Sequence, residues 1–275
     1  MFIHPNAKIN IGLYVTERRD DGYHNLETVF YPIPLHDVLE IEPLSHKWGD
    51  DCDLQIAGMP KSENPRQNLV YRIYESLREE FQLPPVKISL RKNIPIGAGL
   101  GGGSSDATAT MILLNDIFQL NLSQDDIERK MSSFGADCPF FVRNKAAFAT
   151  GIGNEFTPFK FSLKGTFLLL IKPQDSVSTK EAYAHIKPQP APNNLMEALK
   201  RPINEWKSCI KNDFEESVFS SHPSLESIKS TLYDMGAQYA QMSGSGSTIF
   251  GLFDRPTPEA RRIFSDCYVY NKMLP

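Results

Sequence analysis

The segment Pro95-Ile96-Gly97-Ala98-Gly99-Leu100-Gly101-Gly102-Gly103-Ser104-Ser105 has glycine at five of the seven positions from Gly97 to Gly103. So much glycine weakens any helix or strand, so local order has to come from backbone N–H groups converging on an anion. A loop of this kind opening a helix is how a chain builds a phosphate cradle. Two charged residues far apart in the chain complete a candidate chemistry. Lys8 stands on an apolar-leaning strand, and Asp137 lies in a tight Gly-Ala-Asp-Cys-Pro turn. Phosphoryl transfer to an alcohol needs positioning, charge neutralisation and a group that accepts the hydroxyl proton. An ammonium and a carboxylate about 4 Å apart attract by about 4 kcal/mol at an effective dielectric of 20. That keeps the carboxylate ionised and able to act as general base, an effect worth roughly 10²- to 10⁴-fold. A salt bridge bracing two strands is the competing account of this pair, and spacing alone leaves both open.

The elements that must position these residues follow from periodicity. Ile9, Ile11, Leu13 and Val15 alternate with Lys8, Asn10, Gly12 and Tyr14, predicting a strand with one buried face and Lys8 and Asn10 on the other. Leu26 to Ile33 and Val38 to Ile41 predict further strands. Leu69, Ile73, Leu77 and Phe81 predict a helix stopped by Pro84-Pro85, and Val86 to Leu90 a strand leading into the glycine loop. A helix starts at about Ser104, with Ser104 or Ser105 as N-cap, and another runs from about Ser123 to near Gly135. Phe140 to Ala149 and Thr166 to Ile171 read as strands. A helix through Leu225, Ile228, Leu232 and Met235 precedes two strands flanking Ser243-Gly244-Ser245-Gly246. The order is α+β, with a domain boundary near residue 155: residues 1–155, then 156–275. The two glycine-serine turns could meet at an interdomain cleft.

Better-known glycine loops do not fit. Gly97, Gly99 and Gly102 match the dinucleotide spacing, but a second helix follows where that fold needs a strand and an acidic ribose ligand. No lysine precedes the hydroxyl as a P-loop requires, and the protein-kinase strings are missing. At 275 residues, 41% hydrophobic, the chain suits two domains. The net charge of -4 and scattered basic residues argue against nucleic-acid or membrane-surface binding. Four dispersed cysteines without a C-x-x-C pair suit a reducing cytoplasm and indicate neither zinc nor a disulfide framework. The N-terminus does not read as a secretory signal, so a cytoplasmic protein is expected.

Ala7-Lys8-Ile9-Asn10, Asp21-Gly22-Tyr23-His24, Pro95 to Ala107, Gly135-Ala136-Asp137-Cys138-Pro139 and Met242-Ser243-Gly244-Ser245-Gly246 together resemble the GHMP small-molecule kinases. Within that family, the resemblance is to the branch acting on a cytidylyl polyol. It implies an S5-like N-terminal domain and a ferredoxin-like C-terminal domain. It also implies ATP-dependent phosphorylation of the 2-hydroxyl of a cytidine diphosphate-linked methylerythritol in the non-mevalonate route to isoprenoid precursors. Lys8 and Asp137 match the family's catalytic pair, and Pro95 to Ser105 the segment around the ATP phosphates. One departure is Ala98, where many relatives have glycine. Magnesium is expected with ATP; no paired carboxylates mark a protein-held metal site, so Ser104 or Ser105 with phosphate oxygens would serve.

Tyr23 and His24 can supply the stacking and directional hydrogen bonds that a cytosine ring needs, and Tyr183 is the candidate second aromatic wall. Asn10 could bind substrate, Ser243 to Ser247 could shape its diphosphate site, and Asn68 could contact the nucleotide or simply cap its helix. The expected assembly is a monomer or weak homodimer. Competing readings are a kinase for homoserine, mevalonate or a sugar, a nucleotide sensor, and an S5-like nucleic-acid binder.

Overall fold

The computed structural model describes residues 1–45, 51–58 and 64–275. The first part of the chain runs β1 (Phe2–Ile3), β2 (Asn6–Arg18), β3 (His24–His36), β4 (Val38–Pro43), β5 (Cys52–Ala57), α1 (Leu69–Phe81), β6 (Val86–Arg91), α2 (Gly102–Phe118), α3 (Gln124–Met131), α4 (Phe140–Arg143) and β7 (Ala147–Thr150). The rest runs β8 (Glu155–Pro158), β9 (Phe167–Lys172), α5 (Thr179–Tyr183), α6 (Leu195–Ala198), α7 (Phe214–Ser221), α8 (Pro223–Asp234), β10 (Tyr239–Met242), β11 (Ile249–Phe253), α9 (Ala260–Ile263) and β12 (Tyr268–Met273).

Two compact units interleave along the chain. One comprises residues 1–7, 35–96 and 101–144, the other residues 8–34, 97–100 and 145–275. The first unit contains a sheet of order β1-β4-β6-β5, with β6 antiparallel to β4 and parallel to β5. Leu39, Ile41, Ile88 and Leu90 from this sheet share a core with Ile73 and Leu77 of α1 and Met111 and Leu114 of α2. The second unit contains two sheets, β2-β3-β7-β8 and β10-β11-β9-β12. Leu169, Ile171 and Ile249 of the latter share a core with Val218 of α7 and Leu225 and Leu232 of α8.

Local chemistry explains several boundaries. Asn68 caps α1 by accepting the Val70 N–H at 2.9 Å, and the helix stops at Gln82, left-handed at φ +55°, before the proline pair acts. Ser123 and Asp126 form a reciprocal capping box on α3.

Three expectations are corrected. β2 is buried on both faces from Asn6 to Tyr14, so Lys8 and Asn10 form an internal polar face instead of a solvent-facing one. The Phe140 to Ala149 strand is instead α4 followed by β7. A short apolar run does not distinguish helix from strand, and Pro139 ahead of it and left-handed Asn144 (φ +51°) after it enclose one helical turn. Finally, α2 opens at Gly102 with Gly101 as its N-cap, not at a serine: Gly101 takes φ +70°, which only glycine adopts readily.

Candidate active site

The segment after β6 enters the glycine loop under tight control. The Asp37 carboxylate accepts the N–H groups of Asn93 (2.5 Å) and Ile94 (2.8 Å) through one oxygen and pairs with Lys92 through the other. Lys92 also donates to Asp106 Oδ2 at 2.5 Å. One ammonium is thus buried between two carboxylates beside Gly102 at the start of α2. Burial and the neighbouring Asp37 push Asp106 up to about 8 against the pull of Lys92. Burial acts to lower Lys92, but the two carboxylates outweigh it and hold it above its usual value. Sequence reasoning missed this triad. A lysine three residues before Pro95 and an aspartate in the first helical turns were its only signals.

In the loop, Gly97, Gly99 and Gly101 all have positive φ, and Pro95, Ala98 and Leu100 are buried while Ile96 is exposed. Ala98 is not among the residues with positive φ, so its methyl costs the loop no strain. The Ser105 N–H bonds the Gly101 carbonyl at 2.9 Å, which leaves the amides of Gly102, Gly103 and Ser104 ahead of the helical ladder of α2. These amides carry the positive end of a 17-residue helix.

The middle of the loop is clipped to β2 and to the turn between β10 and β11. The Lys8 N–H donates to the Leu100 carbonyl at 3.0 Å, and the Thr248 N–H to the Ala98 carbonyl at 3.3 Å. The Ser243 hydroxyl accepts the Asn10 N–H (3.1 Å) and donates to the Gly99 carbonyl (2.9 Å). A Cβ at Gly99 would run into the Ser243 carbonyl, so only glycine permits this approach. The two glycine-serine turns therefore meet, but Ser243 is fully buried and both capacities of its hydroxyl are used within the protein. It joins two segments of the site instead of facing a ligand.

Lys8 is 3% exposed; its ammonium lies 2.5 Å from Asn10 Oδ1 and 4.4 Å from the centroid of the Phe30 ring. Asn10 in turn donates to Thr28 Oγ1 at 3.2 Å, and Thr28 to the Gly12 carbonyl at 2.5 Å. This ladder fixes the lysine rotamer. Lys8 belongs to the second unit and Asp137 to the first. Within the first unit, the turn carrying Asp137 is tied to α2: Thr108 donates to the Cys138 carbonyl at 2.8 Å. Burial pushes the Cys138 thiol up to about 11, against a hydrogen bond with Ser104.

Of the aromatic candidates, the fold brings His24 and Tyr183 together, stacked at 4.9 Å with 23° between the rings. Tyr183, the last residue of α5, also packs edge-on against Phe214 at 4.7 Å. Burial, with Arg18 nearby, holds the His24 imidazole below its usual value, favouring the neutral ring with one donor and one acceptor nitrogen. Tyr23 is not part of this stack; it is 61% exposed at a hairpin corner, where its N–H is held by Asp21 Oδ1 at 3.1 Å. Asn68 serves as a helix cap through its Oδ1.

Family models match the chain twice: GHMP kinases N terminal domain over residues 68–145 and GHMP kinases C terminal over residues 195–268. Relatives named 4-diphosphocytidyl-2-C-methyl-D-erythritol kinase from Bacteroides fragilis (strain ATCC 25285) and Parabacteroides distasonis (strain ATCC 8503) are 54% and 48% identical to it, covering 100% of both chains in each case. The chain belongs to the GHMP kinase family. This GHMP kinase is similar to a solved 4-(cytidine 5'-diphospho)-2C-methyl-D-erythritol kinase at 31% identity and a TM-score of 0.80, over 98% of each chain. Homoserine kinase from Cytophaga hutchinsonii shares the fold at 17% identity and a TM-score of 0.61, over 98% of this chain and 95% of that one. The GHMP kinase is therefore a small-molecule kinase with the family's two-domain α+β fold, S5-like at the N-terminal side and ferredoxin-like at the C-terminal side.

Proposed function

We propose that this kinase transfers the γ-phosphoryl group of ATP to the 2-hydroxyl of 4-(cytidine 5'-diphospho)-2-C-methyl-D-erythritol, a step of non-mevalonate isoprenoid precursor biosynthesis. The observation that carries the acceptor's identity is the 54% identity, over the full length, to a relative bearing the name of that activity. The His24–Tyr183 pair supports it, because a flat ring beside a neutral imidazole suits a cytosine and has no evident use for homoserine or mevalonate.

Glycine amides and the α2 N-terminus fit the polyphosphate of ATP: a Cβ at Gly97 or Gly103 would meet open space, so a ligand can approach the backbone there. Asp137 accepts the proton of the acceptor hydroxyl as its oxygen attacks the γ-phosphorus, and the bond to the bridging oxygen of ADP breaks. Lys8, held by Asn10, assists by stabilising the carboxylate and the charge of the migrating group. Among the described residues no group of three or more His, Cys, Asp or Glu side chains is placed to hold a metal. The Ser104 or Ser105 hydroxyl would be the protein's contribution to a magnesium ion held otherwise by phosphate oxygens and water, which would neutralise phosphate charge. Residues 1–155 form the ATP-binding part of this scheme and 156–275 the C-terminal part. A cytoplasmic enzyme fits four cysteines dispersed through the chain without a C-x-x-C pair.

The test is phosphoryl transfer from ATP to the cytidylyl methylerythritol, homoserine and mevalonate side by side. Only the first should be turned over, and equal or preferred use of another alcohol would overturn the acceptor. His24→Ala should raise KM for the cytidylyl substrate far more than for ATP, because only one of them carries the base that ring reads; equal rises would remove its role.

A further inference from the structure

The turn that holds Ser243 is itself held by a residue outside it. Asn212 is 3% exposed and follows Lys211, whose carbonyl accepts the Leu13 N–H at 2.9 Å; the Asp213 N–H returns to the Leu13 carbonyl at 2.8 Å. Residues 211 to 213 are thus zipped onto β2, and Asp213 Oδ2 takes the Val15 N–H at 2.9 Å. From this fixed base the Asn212 amide nitrogen donates to two carbonyls of the glycine turn, Met242 at 2.9 Å and Gly244 at 2.8 Å. Its Oδ1 accepts the Phe214 N–H at 2.9 Å, so every capacity of the side chain except one acceptor lone pair is used. Glu215, three residues on, accepts the Met242 N–H at 2.8 Å and pairs with Lys229 at 2.6 Å. The residues on either side of Ser243 are therefore clamped from the same short segment, by a neutral amide and a buried carboxylate.

We propose that Asn212 is a positioning residue for phosphoryl transfer: by clamping the Met242–Gly244 peptides it aims the Ser243 hydroxyl, which sets the Lys8–Asn10 segment against Gly99 of the glycine loop. No other side chain donates to those two carbonyls among the hydrogen bonds described for residues 64–275. Without the amide, two buried carbonyls lose their donors and the turn has to rotate to find others. Such a rotation moves Ser243, and with it the link between strand and loop, on a scale where about 1 Å can cost about 10²-fold in rate. The proposal rests on the kinase reading and on the roles given to Lys8 and the glycine loop, but not on which alcohol is the acceptor.

The experiment is a double-mutant cycle on kcat with Asn212→Asp, which keeps the Oδ1 acceptor and removes both donors, and Ser243→Ala. Each single variant is expected to lower kcat by about 10- to 100-fold with KM for ATP and for the alcohol changed less than about threefold. The double variant should be no worse than the poorer single variant within about threefold, because both act on one link. A merely structural role would lower the unfolding midpoint and the folded fraction but leave kcat per folded molecule unchanged. Folded Asn212→Asp protein with kcat within about threefold of wild type would overturn the proposal, as would losses that multiply in the double variant. If Asn212→Asp does not fold, Asn212→Gln takes its place in the cycle, since it keeps the amide but displaces it by one methylene; wild-type kcat in that folded variant is equally fatal. The cycle is run on whichever of the three alcohols the wild-type enzyme phosphorylates. Failure of the acceptor assignment is then seen in the choice of alcohol, and failure of this proposal in the ratios between variants.

Discussion

Two turns of this kinase look alike in sequence, Gly97 to Ser105 and Ser243 to Ser247, yet only the first has glycines beside open space. In the first, a Cβ at Gly97 or Gly103 would meet nothing within 4 Å. In the second, a Cβ at Gly246 would lie 2.7 Å from Met242 Sδ and one at Gly244 3.1 Å from Asn10 Oδ1, while Ser243, Ser247 and Thr248 are fully buried. Gly97 and Gly103 leave the backbone of the first turn uncovered, as the proposed phosphate cradle requires, whereas Gly99 and Gly102, like Gly244 and Gly246 in the second turn, omit side chains so that the protein can pack on itself. Their supports differ as well. Asp37, Lys92 and Asp106 hold the entrance of the first through charge, whereas Asn212 and Glu215 hold the second through an amide and a carboxylate.

The largest expected effect tests the base proposed for the chemistry. Asp137→Asn should lower kcat by roughly 10²- to 10⁴-fold while ATP still binds, read by steady-state kinetics and calorimetric titration. Turnover close to wild type would remove Asp137 as base. Next in size is a pair of matched substitutions. Gly246→Ala places a methyl against Met242 at φ +91° and should cost about 1–3 kcal/mol of stability in urea unfolding. Gly103→Ala lies in the first turn of α2, facing open space, and should leave stability unchanged or raise it by up to about 1 kcal/mol. The same methyl should raise KM for ATP, by up to about 10²-fold if it displaces the phosphates by an ångström. Equal stability losses in the two variants would erase the distinction between the turns.

The smallest effect concerns pH. The folded-state value of Asp106 is raised from 3.8 to about 8, so the folded protein keeps a proton that the unfolded chain has released. Stability from this group is greatest in acid and is lost as pH rises from 3.8 towards about 8. Asp106→Asn should flatten that decline in unfolding midpoints. Burial raises Glu215 too, so part of the slope should persist. Superimposable pH profiles for wild type and variant would show that the charged support of the first turn does not titrate as described.

Periodicity made α1, α3, α8 and β6 legible, because each sets buried positions against more exposed ones, whereas the β10–β11 pair, buried throughout, was marked by the glycine turn between its strands. It misplaced residues 140 to 149, since Phe140 to Val142 are all buried and an all-apolar run has no period to read. It misjudged β2 for the same reason in reverse: the alternation of Lys8 and Asn10 was present, but the polar face is internal and satisfied by Thr28 and the Gly12 carbonyl. Residue types and spacing offered the glycine loop, Lys8 and Asp137 as candidates, and the family resemblance added His24. They did not single out the Lys92 triad or Asn212, whose roles depend on partners 14 to 55 positions away.

The sequence by itself determined what is local: where glycine frees the backbone, where Asn68 and Ser123 cap their helices, and which residue types could move a phosphoryl group. Only the tertiary structure decided which of two similar turns is open and which is packed, that His24 stacks on Tyr183 while Tyr23 does not, and that Ser243 joins Asn10 to Gly99. Capping, φ preference and periodicity act over a few residues and are written in composition. Burial and hydrogen-bond satisfaction depend on which distant segments meet, and that is set by the packing of whole sheets and helices.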